Sequence, residues 1–370
     1  MEPKSNGAFF GCTLKDSGLE RGAEIGRVTR RDFIKLAGSV ACAMVSMPLM
    51  DVARVLAAET ERANDMALLP SLLGRVATWQ VNIHTKPDPG SRVLRIASLD
   101  QVLRLRTQVT GTAVTPHNPL WYKTDDGFVH SAWIQPVENT LNPTEPDRAA
   151  DKFWGELTVP FSDSRVAPDP RAARFFRLYY GSVFRVVAAA AGKDGQWWYR
   201  LQDGITWAPG PYVLAAHIRR IDPSELAPIS PEVADKRIEV NLQAQLIIAY
   251  EEERPVMVSR IASGFGSFFT PKGKYVVLRK SPASRMIGGQ GADFYDLPGV
   301  PFPTYFTPKR AGIHGTYWHN DYGRPRSHGC LNVPPLVARW FWRWTMPVAP
   351  YDAATYDTPK SMTGTTIAVS

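Results

Sequence analysis

Over most of the chain beyond residue 75, apolar and polar positions alternate with a period of two in runs of four to eight residues, the pattern of short, half-buried strands. "LWYKTDDG" (Leu120–Gly127) recurs as "WWYRLQDG" (Trp197–Gly204), and each copy is followed by a related segment, "FVHSAWI" (Phe128–Ile134) and "YVLAAHI" (Tyr212–Ile218). A "PDP" turn precedes each copy, at Pro87–Pro89 and Pro168–Pro170. Asp-Gly and Pro turns between the runs predict antiparallel hairpins. Further on, "RIEVNLQAQLIIAYEEERPVMVSRIASG" (Arg237–Gly264) reads as strand–turn–strand with its turn at Glu251–Pro255, and "TPKGKYVVLRK" (Thr270–Lys280) as a turn and a strand. "ARWFWRWTM" (Ala338–Met346) is the best helix candidate of this half, and the final "TTIAVS" reads as a closing edge strand.

Two copies are too few for a solenoid, which needs at least three, and fit two small barrels in tandem. Both copies resemble bacterial SH3-like domains, which often accompany cell-wall enzymes. The fold expected is mainly β, with SH3-like modules at 75–140 and 153–221 and a linker at 222–235 rich in Pro and acidic residues. A β-rich domain at 236–370 follows. Trp121, Trp133, Trp197 and Trp198 are expected in the barrel cores. The modules are expected to place the protein on a wall surface. In the competing reading, aromatics such as Trp133 or Trp207 pack against the mouth of a site further on.

The N-terminus breaks the pattern. "TRRDFIK" (Thr29–Lys35) pairs Arg30 with Arg31, and an apolar run from Leu36 to Met50 follows. That run is 15 residues long, short of the roughly 20 that span a bilayer. Small residues around Ala57 suit a signal peptidase. Residues 1–57 resemble a twin-arginine export signal, which a receptor reads as an address. An extracytoplasmic location follows: cell envelope, periplasm or cell wall, with membrane attachment only through an uncleaved signal. "SVAC" around Cys42 is a poor lipid-attachment match, since more apolar residues come after it.

With that segment removed, 313 residues remain, enough for two or three domains. The first 57 residues hold eight Lys/Arg and six Asp/Glu, so the remainder keeps +6 of the chain's +8. This mild charge lacks a dense basic run. It argues against nucleic acid and suits an anionic wall.

Cysteine usage sharpens the picture. Cys12 and Cys42 lie in the export segment, which leaves Cys330 as the single cysteine of the mature chain. A lone thiol in an oxidising compartment suggests a reactive group. It sits in "IHGTYWHNDYGRPRSHGCLNV" (Ile313–Val333), among three histidines. A histidine that accepts the thiol proton turns such a cysteine into a nucleophile. His328, two residues away, shares a face with Cys330 if the segment is extended. His314 reaches Cys330 only if the loop containing Gly323 and Pro325 doubles the chain back. Gly329 permits close backbone approach, and the N–H groups near Cys330 suit an oxyanion hole.

"IHGT" followed by "SHGCLNV" resembles the signature of the L,D-transpeptidase catalytic domain, the YkuD-like family of peptidoglycan cross-linking enzymes. "SGFGSFFTPKGKY" (Ser263–Tyr275) and "VPFPTYFTPKRAGIHG" (Val300–Gly315) are similar to two further family segments. The resemblance covers about residues 236–370. "PASRMIGGQGADFYDL" (Pro282–Leu297) reads as a substrate-side loop or lid. The resemblance implies Cys330 as nucleophile and His314 as its base, with the ring oriented by the Gly315 carbonyl. His328 and Ser327 would line the site, Gly329 and Cys330 would offer N–H groups, and Asn332 would brace the turn. The implied reaction passes a tetrapeptide stem through a Cys330 thioester, releases its terminal D-Ala and joins it to an amine of a second stem. Stem peptides and carbapenem-type inhibitors are the partners implied, with no metal or cofactor.

Other readings use the same residues. Water in place of the amine gives an L,D-carboxypeptidase, and a protein amine gives a protein-to-peptidoglycan ligase. A non-catalytic wall-binding protein would use the modules alone. Zinc could take His314, His319, His328 and Cys330 as ligands, but their spacing follows no standard zinc pattern. The export reading predicts that changing both Arg30 and Arg31 to Lys leaves precursor in the cytoplasm, measured by fractionation. Normal export of that variant would contradict it.

Overall fold

The computed structural model describes residues 73–370 apart from 116, 148–150, 203, 206 and 207. The expected export segment at residues 1–57 and Trp207 lie outside the described residues.

Strands β1–β7 run Leu73–Val76, Gln80–His84, Val93–Ser98, Val102–Thr115, Asn118–Thr124, Phe128–His130 and Ile134–Val137. Strands β8–β14 run Phe153–Leu157, Phe161–Arg165, Arg174–Tyr179, Val183–Ala191, Trp197–Gln202, Pro209–Leu214 and Ile218–Arg220. The first set forms a seven-stranded sheet in the order β3-β2-β6-β5-β4-β1-β7, and the second repeats that order strand for strand as β10-β9-β13-β12-β11-β8-β14. The sequence repeat is therefore a repeat of topology. Trp121 and Trp198 occupy equivalent places and are almost fully buried, as are Tyr122 and Tyr199 beside them. Of the other two tryptophans, Trp133 is half-buried against the core of the first unit, and only Trp197 departs from the core expectation. Trp197 is 40% exposed on its strand, and Trp133 faces a neighbouring loop described below.

The C-terminal half builds two five-stranded sheets and a hairpin. Its strands are β15 (Lys236–Asn241), β16 (Leu246–Glu251), β17 (Arg254–Arg260), β18 (Gly273–Val276), β19 (Arg279–Lys280), β20 (Ala283–Gly288), β21 (Tyr295–Pro301), β22 (Thr304–Tyr305), β23 (Gly312–Gly315) and β24 (Leu331–Val333). Helix α1 (Pro335–Trp344), β25 (Tyr356–Asp357) and β26 (Thr366–Val369) complete it. One sheet has the order β17-β16-β15-β26-β18 and the other β24-β23-β22-β19-β25, while β20 and β21 pair only with each other. The C-terminal strand β26 is thus not at an edge. It lies parallel to β15 and antiparallel to β18, because Ile367 and Val369 alternate into the core and both flanks find a partner.

Helix α1 begins three residues before the expected start, since Pro335 fits the first helical turn, where its missing N–H is not needed. Ala338, Phe341 and Trp342 form the i, i+3, i+4 stripe that packs inward. Its last carbonyls, which have no partner within the helix, are met by two buried lysines. Lys236 Nζ donates to Trp344 O at 3.0 Å, and Lys280 Nζ to Thr345 O at 2.8 Å.

The segment 222–235, expected as a spacer, is packed. Asp222 and Glu225 cap a short turn (Pro223–Leu226), and Leu226 is buried. Trp154 and Val183 of the second seven-stranded unit join Ile221 and Leu226 in the same apolar core as Ile238, Ile313, Leu331 and Phe341. Trp154 Nε1 donates to Tyr351 O at 2.6 Å, and Arg339 of α1 reaches Glu156 at 2.7 Å. The two seven-stranded units also touch each other, through Arg177–Asp100 at 2.9 Å and Gln135 Nε2 donating to Tyr180 O at 2.9 Å. The C-terminal half therefore shares its core with the unit before it.

Candidate active site

Strands β23 and β24 lie side by side and parallel, with Ile313 opposite Leu331, His314 opposite Asn332 and Gly315 opposite Val333. Side chains alternate across a strand. Ile313, Leu331 and Val333 point into the apolar core. His314 and Asn332 consequently share the other face, and Cys330 immediately precedes β24. The long-range pairing of two short strands is what brings the "HG" and "GCLN" segments together.

His314 is buried. Its Nδ1 lies 3.0 Å from Gly315 O, and its Nε2 lies 3.1 Å from Asn332 Nδ2. A carbonyl only accepts and an amide nitrogen only donates. The ring must therefore carry its proton on Nδ1 and offer its Nε2 lone pair. Burial holds this imidazole down at about 4, with the Gly315 hydrogen bond opposing. The Cys330 sulfur lies 3.7 Å from Arg310 O. Burial pushes the thiol up to about 11, with the Gly312 backbone opposing. Burial thus favours the neutral form of both groups, and no hydrogen bond joins them in this geometry.

His328 stands apart from His314. Gly329 has φ +111°, a value that favours glycine, so the extended stretch assumed for residues 328–330 is broken there. The His328 ring sits between Phe268, with centroids 4.4 Å apart, and Tyr295, at 5.0 Å. Burial lowers its pKa, with Asp293 opposing. Tyr295 begins the second strand of the β20–β21 hairpin, which corresponds to the expected substrate-side loop at 282–297. Phe265 and Phe269 are 67% and 70% exposed, and Phe268 is 40% exposed. They place an apolar surface beside His328.

Ser327 shapes the turn before the cysteine. Its Oγ donates to Cys330 O at 2.6 Å and accepts from Gly329 N–H at 3.1 Å. The Gly329 N–H, expected as an oxyanion donor, is therefore engaged by Ser327. Three residues outside the signature hold the turn from behind. Thr270 Oγ1 donates to Gly329 O at 3.0 Å and accepts from Gly264 N–H at 2.9 Å. Ser263 O accepts from both Arg326 and Ser327 N–H, and Gln245 holds Ser263 through two hydrogen bonds. Thr270 opens the "TPKG" segment, which the sequence singled out without revealing this contact 59 residues away.

The loop between His314 and Cys330 is docked on the first seven-stranded unit. Asn320 N–H donates to Ala132 O at 3.1 Å, and Arg75 Nη2 donates to Tyr317 O at 2.5 Å. Arg326 stacks over Trp133 at 4.5 Å while binding the buried Asp321 at 2.9 Å. Gly323, at φ +108°, lets the loop pass His117, which a Cβ would strike at 2.5 Å. Trp133 thus packs against the loop that joins His314 to Cys330. His319, weighed there only as a zinc ligand, is buried in this loop. Its Nδ1 accepts from Asp321 N–H at 3.1 Å, and its Nε2 faces Asn332 Oδ1 at 3.3 Å. Among the described residues no group of three or more His, Cys, Asp or Glu is arranged to hold a metal ion.

Residues 235–368 match the family model described as the L,D-transpeptidase catalytic domain, YkuD. A curated Bacillus licheniformis protein named "Putative L,D-transpeptidase YkuD" is 29% identical over 107 residues, which is 28% of this chain and 56% of that relative. The Enterococcus faecium L,D-transpeptidase, solved as a cysteine-to-serine mutant, is 26% identical and aligns over 38% of this chain and 51% of its own, with a TM-score of 0.30. Its catalytic domain acylated by ertapenem is 25% identical over 37% of this chain and 97% of its own, with a TM-score of 0.29. The chain spans little more than half the length of the curated relative it matches.

The depressed His314 ring makes stability fall in acid. Its ordinary value is 6.5 and the folded value is about 4. The contribution of the neutral ring is therefore complete above 6.5 and is lost as pH falls through 4. From pH 7 to pH 4 this ring alone removes roughly 3 kcal/mol. Denaturant titrations across that range should show a shallower decline for His314→Gln than for the wild type. Identical declines would contradict the buried neutral ring.

Proposed function

We propose that the chain is an exported L,D-transpeptidase that cross-links peptidoglycan stem peptides through a thioester on Cys330. The supporting observation is the parallel pairing of β23 and β24, which sets His314 beside Asn332, two residues after Cys330, with the His314 Nε2 lone pair facing the Asn332 amide. The family match at residues 235–368 supplies the reaction class.

The Cys330 sulfur attacks the stem carbonyl that precedes the terminal D-Ala. Its proton passes to His314 Nε2, which must first leave its hydrogen bond with Asn332. Because burial favours the neutral form of both groups, proton transfer accompanies attack in this reading. The Cys330 N–H is assigned to the developing oxyanion. Collapse breaks the C–N bond, the proton on His314 goes to the leaving D-Ala amine, and a thioester remains. An amine of a second stem attacks that thioester, gives up a proton to His314, and releases the thiol with a new amide cross-link. His328, held between Phe268 and Tyr295, and the exposed Phe265 and Phe269 form the wall along which the donor stem lies. Twin-arginine export, directed by Arg30 and Arg31, brings this chemistry to the cell envelope. The two SH3-like modules support the catalytic domain mechanically, the first by holding the 316–326 loop and the second by completing the core.

Incubation with a carbapenem should add one drug mass to the protein, read by intact mass spectrometry, and Cys330→Ala should abolish the adduct. His314→Ala should slow acylation about 10²–10⁴-fold. An adduct that survives Cys330→Ala would overturn the assignment.

A further inference from the structure

A run of hydrogen bonds leads away from His314 and into the 316–326 loop. His319 Nδ1 accepts from the Asp321 N–H, so its proton must sit on Nε2. That N–H faces Asn332 Oδ1 at 3.3 Å. Asn332 Nδ2 then faces His314 Nε2 at 3.1 Å, and His314 Nδ1–H donates to Gly315 O at 3.0 Å. Both ends of this run are backbone groups, an N–H at Asp321 and a C=O at Gly315, and neither can reverse its role. The direction of every bond between them is therefore fixed. His319 and His314 are held in opposite tautomers, and the Asn332 amide has one permitted orientation. The Asn332 backbone is also clamped, through two hydrogen bonds with Ala262, so its amide can turn but the residue cannot move away.

The far end of the run is set by the first seven-stranded unit. Asp321 is fully buried and held by Arg324 at 2.5 Å and Arg326 at 2.9 Å. Arg326 stacks on Trp133, and the adjacent Asn320 N–H is bound to Ala132 O. Replacing His319 by a residue without a donor leaves Asn332 Oδ1 buried and unpaired, which is unfavourable and frees the amide to turn. A turned amide would present its oxygen to the His314 lone pair, a repulsive contact that displaces the ring.

We propose that His319 is a positioning residue for His314, acting through the Asn332 amide, and that the first seven-stranded unit holds His319 in register through the 316–326 loop. This rests on the reading of Cys330 and His314 as nucleophile and base. The test uses iodoacetamide, a small alkylating agent that needs no wall substrate, so it remains informative if the transpeptidase reading fails. With ¹⁵N-labelled histidine in the full mature protein, His314 should show a protonated Nδ1 and His319 a protonated Nε2 at pH 7. The same protonated nitrogen in both rings would overturn the proposal. His319→Ala should slow alkylation of Cys330 about 10- to 100-fold, the scale of a misplaced catalytic group. His319→Gln, whose amide N–H can reach Asn332 Oδ1, should recover most of the rate. Circular dichroism and the melting temperature establish that both variants are folded. A wild-type rate in the folded alanine variant, or equal loss in the folded alanine and glutamine variants, would show that the donor at 319 does not position His314.

Discussion

Burying an imidazole and a carboxamide is unfavourable unless each polar atom meets a partner. At the centre of this molecule His314, Asn332 and His319 meet that requirement with one another and with two backbone groups. The condition is demanding, because each bond dictates the direction of the next. It can be met only if β23 and β24 pair in the observed register and the 316–326 loop folds back beneath them. A one-residue slip of the strands would turn His314 or Asn332 toward the core. The same register carries Ile313, Leu331 and Val333 into the apolar interior. Burial of these apolar side chains and satisfaction of the polar row therefore select a single alignment.

The units that precede the C-terminal half are coupled to that alignment in different ways. The second shares an apolar core with it through Trp154 and Val183. It adds an ion cluster in which Arg219 and Arg339 both bind Glu156 and Glu225. The first contributes little to that core and acts on the loop. Trp133, Ala132 and Arg75 fix Arg326, Asn320 and Tyr317. A loop of this length would ordinarily be the mobile part of such a site. Here its backbone supplies the hydrogen bond that sets His319.

Much of the chemistry was legible in the sequence because it is local. The spacing of His314, Gly329 and Cys330, the lone thiol and the repeated Trp-Tyr strands can all be read from neighbouring residues. What escaped depends on distant pairing. Thr270 binds Gly329 across 59 residues, and Trp133 meets Arg326 from another unit. The final strand looked like an edge because nothing local to Thr366–Val369 announces two neighbours. Residues 222–235 looked like a spacer because Pro and acidic residues mask the single buried Leu226. The shared face of His328 and Cys330, which needs an extended segment, is interrupted at the positive φ of Gly329, which a glycine permits but does not announce.

In the proposed mechanism the first seven-stranded unit and His314, the proposed base, behave as one energetic unit, joined through the loop. A double-mutant cycle between Trp133→Ala and His319→Ala, read as the rate of Cys330 acylation by a carbapenem, measures that coupling directly. If the unit acts through His319, removing Trp133 should cost much less in the His319→Ala background than in the wild type, so the double variant should be far faster than the product of the single effects. Independent effects, multiplying through the cycle within error, would contradict the account.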